Sequence, residues 1–167
     1  MGEIRQPSTR EQFRAILEHI VDGVVVQDMN AEIVYLNPAA AKMLQFASQE
    51  EALATGVDGI LKAFDSIYDE HGLPFPRDML PGRQALKGKP EPVRIVRVGL
   101  KEDDENHWRW AWVKASPILD DQRQLEYVVT VFQEITAMKQ AELGLKDANQ
   151  RITRLLEEVL EVSESTM

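Results

Sequence analysis

The chain has 167 residues, 44% hydrophobic and 28% charged, with a formal net charge of −9 and no cysteine. That size and balance suit one globular domain with an appendage. An acidic chain without a basic patch argues against a nucleic-acid partner, and the lack of cysteine excludes a disulfide framework, a thiolate zinc site and cysteine photochemistry. No early apolar run resembles a signal peptide, and no stretch approaches the ~20 apolar residues of a membrane span. A soluble, cytoplasmic protein is therefore expected, with no membrane partner.

In chain order, residues 1–8 form a polar leader. Ser8 with Glu11, or Thr9 with Gln12, offers a capping box. Phe13, Ile16, Leu17, Ile20 and Val21 then follow helical spacing, so a helix over 9–22 is predicted, ending at Asp22-Gly23. Val24 to Asp28 reads as a strand, Asn30-Ala31 as a turn, and Ile33 to Leu36 as the hairpin partner. Asn37-Pro38 places an N-cap and an N1 proline before a short helix. Ser48 and Glu51 start another through Leu53, and residues 58–68 are expected to form short helical turns. Pro81 and Gly88 bracket a helix through Ala85-Leu86. Strands follow over 93–98 and 108–116, separated by the acidic hairpin loop 102–105. Asp120 to Arg123 turns into the last strand, 125–135. Hairpins with helices between them predict an α+β fold with an antiparallel sheet.

After Thr136 the apolar period lengthens. With Met138 at heptad position a, Met138, Leu145, Ile152 and Val159 fall at a, while Ala141, Ala148, Leu155 and Val162 fall at d. Residues 136–167 are expected to form a signalling helix that pairs as a parallel coiled coil. Gly144 and the two alanines make its first half the weaker part.

The residues so far resemble a PAS domain with its C-terminal PAC portion. The resemblance rests on Asp22 to Asp28, Ile33 to Ala40, Gly82 to Gly88, Trp110 to Ile118, and Glu134-Ile135-Thr136 with the helix after it. Such families usually carry Asp where this chain has Glu134. The resemblance implies a PAS/PAC core over 23–135: a five-stranded sheet in spatial order 2-1-5-4-3, with short helices and a small pocket on one face. It implies a non-catalytic sensing and dimerisation module that drives an output partner such as a histidine kinase, a cyclase or a phosphatase. The alternatives are a constitutive docking platform without ligand and a small α+β enzyme using the same pocket.

By the resemblance, Ala111, Val113, Ala115, Thr130 and Phe132 face the pocket. Val25, Gln27, Ile33, Leu86 and Ile95 join them, and parity with Ile95 adds Arg97, whose guanidinium would want an anionic partner. Glu134, Ile135 and Thr136 form the signal-transfer hinge. A homodimer interface is expected from Phe13, Ile16, Leu17 and Ile20, from Trp110 and Trp112, and from Met138, Leu145, Ile152, Leu155 and Val159. His19, His71 and His107 lack metal spacing, and none lies on the helix where an axial haem ligand would sit. No metal is expected, haem and a cysteinyl flavin are disfavoured, and a small-molecule ligand stays open. No Ser/His/Asp set, paired carboxylates or phosphate loop supports catalysis.

Overall fold

The computed structural model describes residues 8–89, 93–100 and 108–164. Residues 1–7 of the expected leader, the acidic loop 102–105 and His107 lie outside the described residues. The chain divides after Glu134 into two compact units.

The first unit opens with helix α1 (Thr9–His19), capped by Ser8. The Ser8 side chain accepts from the Glu11 amide, and Glu11 accepts from the Ser8 amide at 2.7 Å. These bonds stabilise the ionised form and hold the Glu11 carboxyl below its usual range. The stability they add is present above that range and is lost on acidification. Strand β1 (Gly23–Asp28) pairs with β2 (Ile33–Leu36), and α2 (Pro38–Met43) and α3 (Gln49–Ala63) follow. Gly56, at φ 67°, breaks α3 midway. Next come β3 (Phe64–Asp69), α4 (Pro81–Leu86), β4 (Val93–Leu100), β5 (Arg109–Leu119) and β6 (Leu125–Glu134).

The sheet is antiparallel with six strands in the order β2-β1-β6-β5-β4-β3. The five expected strands keep their expected order. The sixth, β3, takes the second half of the stretch expected as helical turns over 58–68; residues 58–63 are helical, within α3. It pairs with β4 from Phe64↔Leu100 to Asp69↔Val96 and buries Ile67. Backbone pairing along the free edge of β4 outweighs a weak local helix signal. The first helix also ends at His19, three residues short of the expected 22. Ile20 is already extended, and Asn37 takes up the carbonyl groups that the helix end leaves unpaired.

Three turns share one device. Asp28 Oδ1 accepts from the amides of Asn30 and Glu32, Asp69 Oδ1 from His71 and Leu73, and Asp120 Oδ1 from Gln122 and Gln124, all at 2.8–2.9 Å. In each, the third residue after the aspartate is left-handed: Ala31, Gly72 and Arg123, at φ 66°, 81° and 63°. Only glycine adopts that conformation without strain. Asparagine tolerates it better than arginine, so Arg123→Asn is expected to add about 0.5 kcal/mol of stability, checked by urea denaturation.

Helices α2, α3 and α4 cover one face of the sheet. Leu36, Ala40, Ala41 and Ala52 pack with Val25 in one core cluster, and Ala85, Ala115 and Val128 form a second. On the opposite face, Trp110 and Trp112 are half-buried. Phe13 and Ile16 stay 63% and 59% exposed, so α1 does not bury its apolar stripe within the chain. Tyr35 also faces that side. Its hydroxyl is buried without a partner, and burial, with Glu18 adding, raises its pKa.

The second unit is one helix, α5 (Thr136–Glu164), of 29 residues. Leu145, Ile152, Leu155 and Val159 are all more than half exposed along it. No helix among the described residues is long and apolar enough to cross a membrane.

Candidate ligand cavity

Between the covered face of the sheet and α2, α3 and α4 lies a cavity of about 190 Å³. Its floor comes from alternate residues of neighbouring strands: Val25 and Gln27 of β1, Thr130 and Phe132 of β6, Ala111 and Val113 of β5. Ile33 closes the β2 side. The register Val25↔Thr130 and Val113↔Phe132 sets these side chains on one face. The roof is Val57, Ile60 and Leu61 of α3, with Pro81 and Gly82 of α4. The lining is predominantly apolar.

Eight of the eleven residues expected at the pocket lie on this face, and seven of those eight line the cavity. Ala115 is the eighth; it is 1% exposed and belongs to the second core cluster, with Leu86 packed against that cluster. Ile95 and Arg97 fall on the opposite face, and Val96 and Val98 take their places at the cavity. Pairing of β4 with β5 at Val96↔Ala111 fixes that parity. Both parities of Val93 to Val98 contain one arginine and two aliphatic residues, so the sequence pattern alone was ambiguous there. Arg97 instead lies among Tyr68, Trp108 and Trp110. Its guanidinium carbon is 5.4, 4.9 and 5.8 Å from the three ring centroids, which suits cation–π contact. The sequence reading missed the α3 and β3 lining, Val57, Ile60, Leu61, Phe64 and Ile67, because it carried the preceding helix only to Leu53.

Gly23 and Gly82 mark close approaches at the cavity. A Cβ on Gly23 would stand 2.4 Å from the Phe132 ring, so only glycine lets that ring lie over β1. A Cβ on Gly82 would stand 3.0 Å from Thr130 Oγ1 and 3.2 Å from Gln27 Oε1. The deep polar groups are thus the neutral pair Gln27 and Thr130, directly beneath Gly82. Gln27 is 6% exposed and its Nε2 donates to Ala31 O. Thr130 Oγ1 is buried with no hydrogen-bond partner. The charged lining residues are Arg83, Arg109 and Glu134. Arg83 is held by Asp58 at 2.9 Å, and Glu134 is exposed, marking a side open to solvent.

At the expected hinge, Glu134 ends β6, Ile135 follows, and Thr136 opens α5; the Lys139 amide donates to Ile135 O. Among the described residues the histidines stand apart from the cavity. His19 donates to Ala15 O, and His71 lies exposed in a loop. Among the described residues no cluster of His, Asp or Glu could hold a metal ion.

Residues 11–79 match the PAS domain family. No curated protein matches the chain. Among solved structures the chain is similar to an RNA-binding light-oxygen-voltage receptor, at 14% identity and a TM-score of 0.56, over 90% of this chain but 40% of that one. The chain therefore spans less than half the length of that receptor. A sensory box histidine kinase/response regulator from Burkholderia thailandensis gives 17% identity and a TM-score of 0.53, over 86% of this chain and 99% of the other. The PAS domain of a Colwellia psychrerythraea protein gives 16% and 0.50, over 78% and 99%. At such identities the likeness shows the fold alone. Residues 11–79 thus match the PAS family model, and the antiparallel sheet with its short covering helices shares the fold of the solved PAS domains it is similar to.

Proposed function

We propose that this chain is a non-catalytic signal-input module. It dimerises through its flanking helices and passes a change at the cavity through β6 into α5, which controls an output module such as a histidine kinase, a cyclase or a phosphatase. One observation carries this reading: Glu134 lines the cavity and is also the last residue of β6, two positions before α5 begins. A ligand that displaces the lining acts on the residue that leads into the helix. The exposed seam of α5 supplies a surface for a second copy, and the cavity itself favours sensing over a filled docking platform. Non-catalytic behaviour is supported by the lining, whose only carboxylate among the described residues is the exposed Glu134 at a strand end.

Ala111→Phe tests the coupling. The added ring occupies the cavity as a ligand would and needs no knowledge of the natural one. Amide exchange over residues 138–148, the weak half of α5, is expected to change by about tenfold, the ~1.4 kcal/mol typical of coupled sites. Unchanged exchange there, with the fold intact by circular dichroism, would count against the reading.

A further inference from the structure

The polar groups at the deep end of the cavity are closed off from its space. We infer that the cavity takes a small, uncharged, hydrocarbon-like molecule of about eight non-hydrogen atoms, held by shape and apolar contact with no hydrogen-bonding anchor. This inference rests on the sensing reading above and narrows it to one ligand class.

Size comes first. An apolar cavity of ~150 Å³ accommodates benzene, and this one measures about 190 Å³. A haem or the tricyclic ring of a flavin far exceeds that volume. The absence of cysteine removes the covalent flavin adduct independently.

Polarity decides the class. Two neutral polar side chains belong to the deep wall, Gln27 and Thr130. Thr130 Oγ1 is buried outright, beyond the reach of an occupant. Gln27 is 6% exposed, and its Nε2 already donates to Ala31 O. The α4 backbone at Gly82 closes over both residues. A Cβ there would stand 3.0 Å from Thr130 Oγ1 and 3.2 Å from Gln27 Oε1, nearer than ordinary contact. The surface left to an occupant comes mainly from apolar side chains such as Val25, Ile33, Ile60, Val96, Val113 and Phe132. A polar atom carried into that space gives up its water partners and finds no replacement, a cost that a hydrocarbon escapes. A charge fares worse. Arg83 is bonded to Asp58, Arg109 already has an interaction of its own, and the chain carries a net charge of −9, so an anion gains nothing in exchange.

Titration calorimetry of the full chain with benzene, pyrazine, pyrrole and benzoate tests the class. Pyrazine has the shape of benzene with an acceptor at each end, so one nitrogen must lie deep whichever way it enters. Benzene is expected to bind at least about fivefold more tightly than pyrazine, the effect of one unpaired polar group. Pyrrole, which carries a donor, is expected to bind no more tightly than benzene, and benzoate is expected to bind most weakly of the four. Thr130→Val should leave the affinities for benzene and pyrazine unchanged, because the hydroxyl is out of reach. Ala111→Phe, whose ring takes the same space, should abolish benzene binding. Pyrazine or pyrrole bound more tightly than benzene, preference for benzoate, uptake of haem or flavin mononucleotide, benzene retained by Ala111→Phe, or no binding by any probe would overturn the inference. If it is overturned while Ala111→Phe still alters exchange in α5, the ligand class fails and the sensing reading stands. If Ala111→Phe is silent as well, both fail.

Discussion

Replacing Asn37 with alanine is expected to remove about 4 kcal/mol of stability, a large share of the ~5–15 kcal/mol that holds a domain of this size. The residue is fully buried. Its Oδ1 accepts from the amides of Val24 and Ala40, both at 2.9 Å, so one atom caps α2 and satisfies β1. Its Nδ2 donates to the carbonyls of Leu17, Ile20 and Asp22 at 3.1, 3.4 and 2.9 Å. Those groups lie at the end of α1 and in the link to β1. Alanine leaves two buried N–H groups and the carbonyls unpaired, and each buried orphan costs ~1–3 kcal/mol. Asn37→Asp separates the two roles. It keeps the acceptor and replaces the donor by a carboxylate oxygen facing three carbonyls. That variant should lose protection at residues 17–22 while α2 stays capped. Urea denaturation measures the first effect and amide exchange the second. A loss under 1 kcal/mol for the alanine variant would mean that α1 is held by something other than Asn37.

The second large effect concerns α5. Ile152→Lys is expected to weaken the proposed dimer by at least a thousandfold. In a parallel pair each copy places its residue 152 opposite the other, so one substitution sets two ammonium groups together in an apolar seam. An uncompensated buried charge costs about 3–5 kcal/mol, and every 1.4 kcal/mol is tenfold in affinity. Gln150→Lys, at the outward position f of the preceding heptad, serves as the matched control and should leave affinity within about threefold. Light scattering across a concentration series reads both. A wild-type chain that stays monomeric at high concentration would remove the seam from the account.

Legibility in the sequence followed how far local chemistry determines each element. Caps and turns were clear, because Ser8 and Asn37 act through bonds to residues three away, and Pro81 and Gly88 through the backbone angles they favour. Strands β1, β5 and β6 were clear, and β1, β5 and β6 supply most of the correctly foreseen lining. Strand β3 was not, since Phe64-Asp65-Ser66-Ile67-Tyr68-Asp69 has no clean alternation and becomes a strand only by pairing with β4. The facing of β4 was invisible for a related reason: Arg94 and Arg97 sit on opposite parities, and nothing in the segment says which arginine finds a home. The aromatic surroundings of Arg97 answer that in three dimensions, joining Tyr68 of β3 and Trp110 of β5 to Trp108. Leu86 and Ala115 were placed at the pocket because their faces point the right way. The close approach of α4 to β5 and β6 turns that end into packed core. The role of Asn37 as a clamp on the end of α1, across 15–20 residues, had no sequence signal beyond its position as an N-cap.

The lack of cysteine makes the central claim directly measurable, because a single introduced thiol is the only one in the chain. A nitroxide on Gln150→Cys places one spin label on α5 of each copy, and pulsed dipolar spectroscopy reads the distance between them. A defined interlabel distance is expected in the dimer, shifting when Ala111→Phe occupies the cavity. An absent dipolar signal, or a distance distribution identical with and without the cavity-filling ring, would contradict a sensory cavity coupled through β6 to a paired helix.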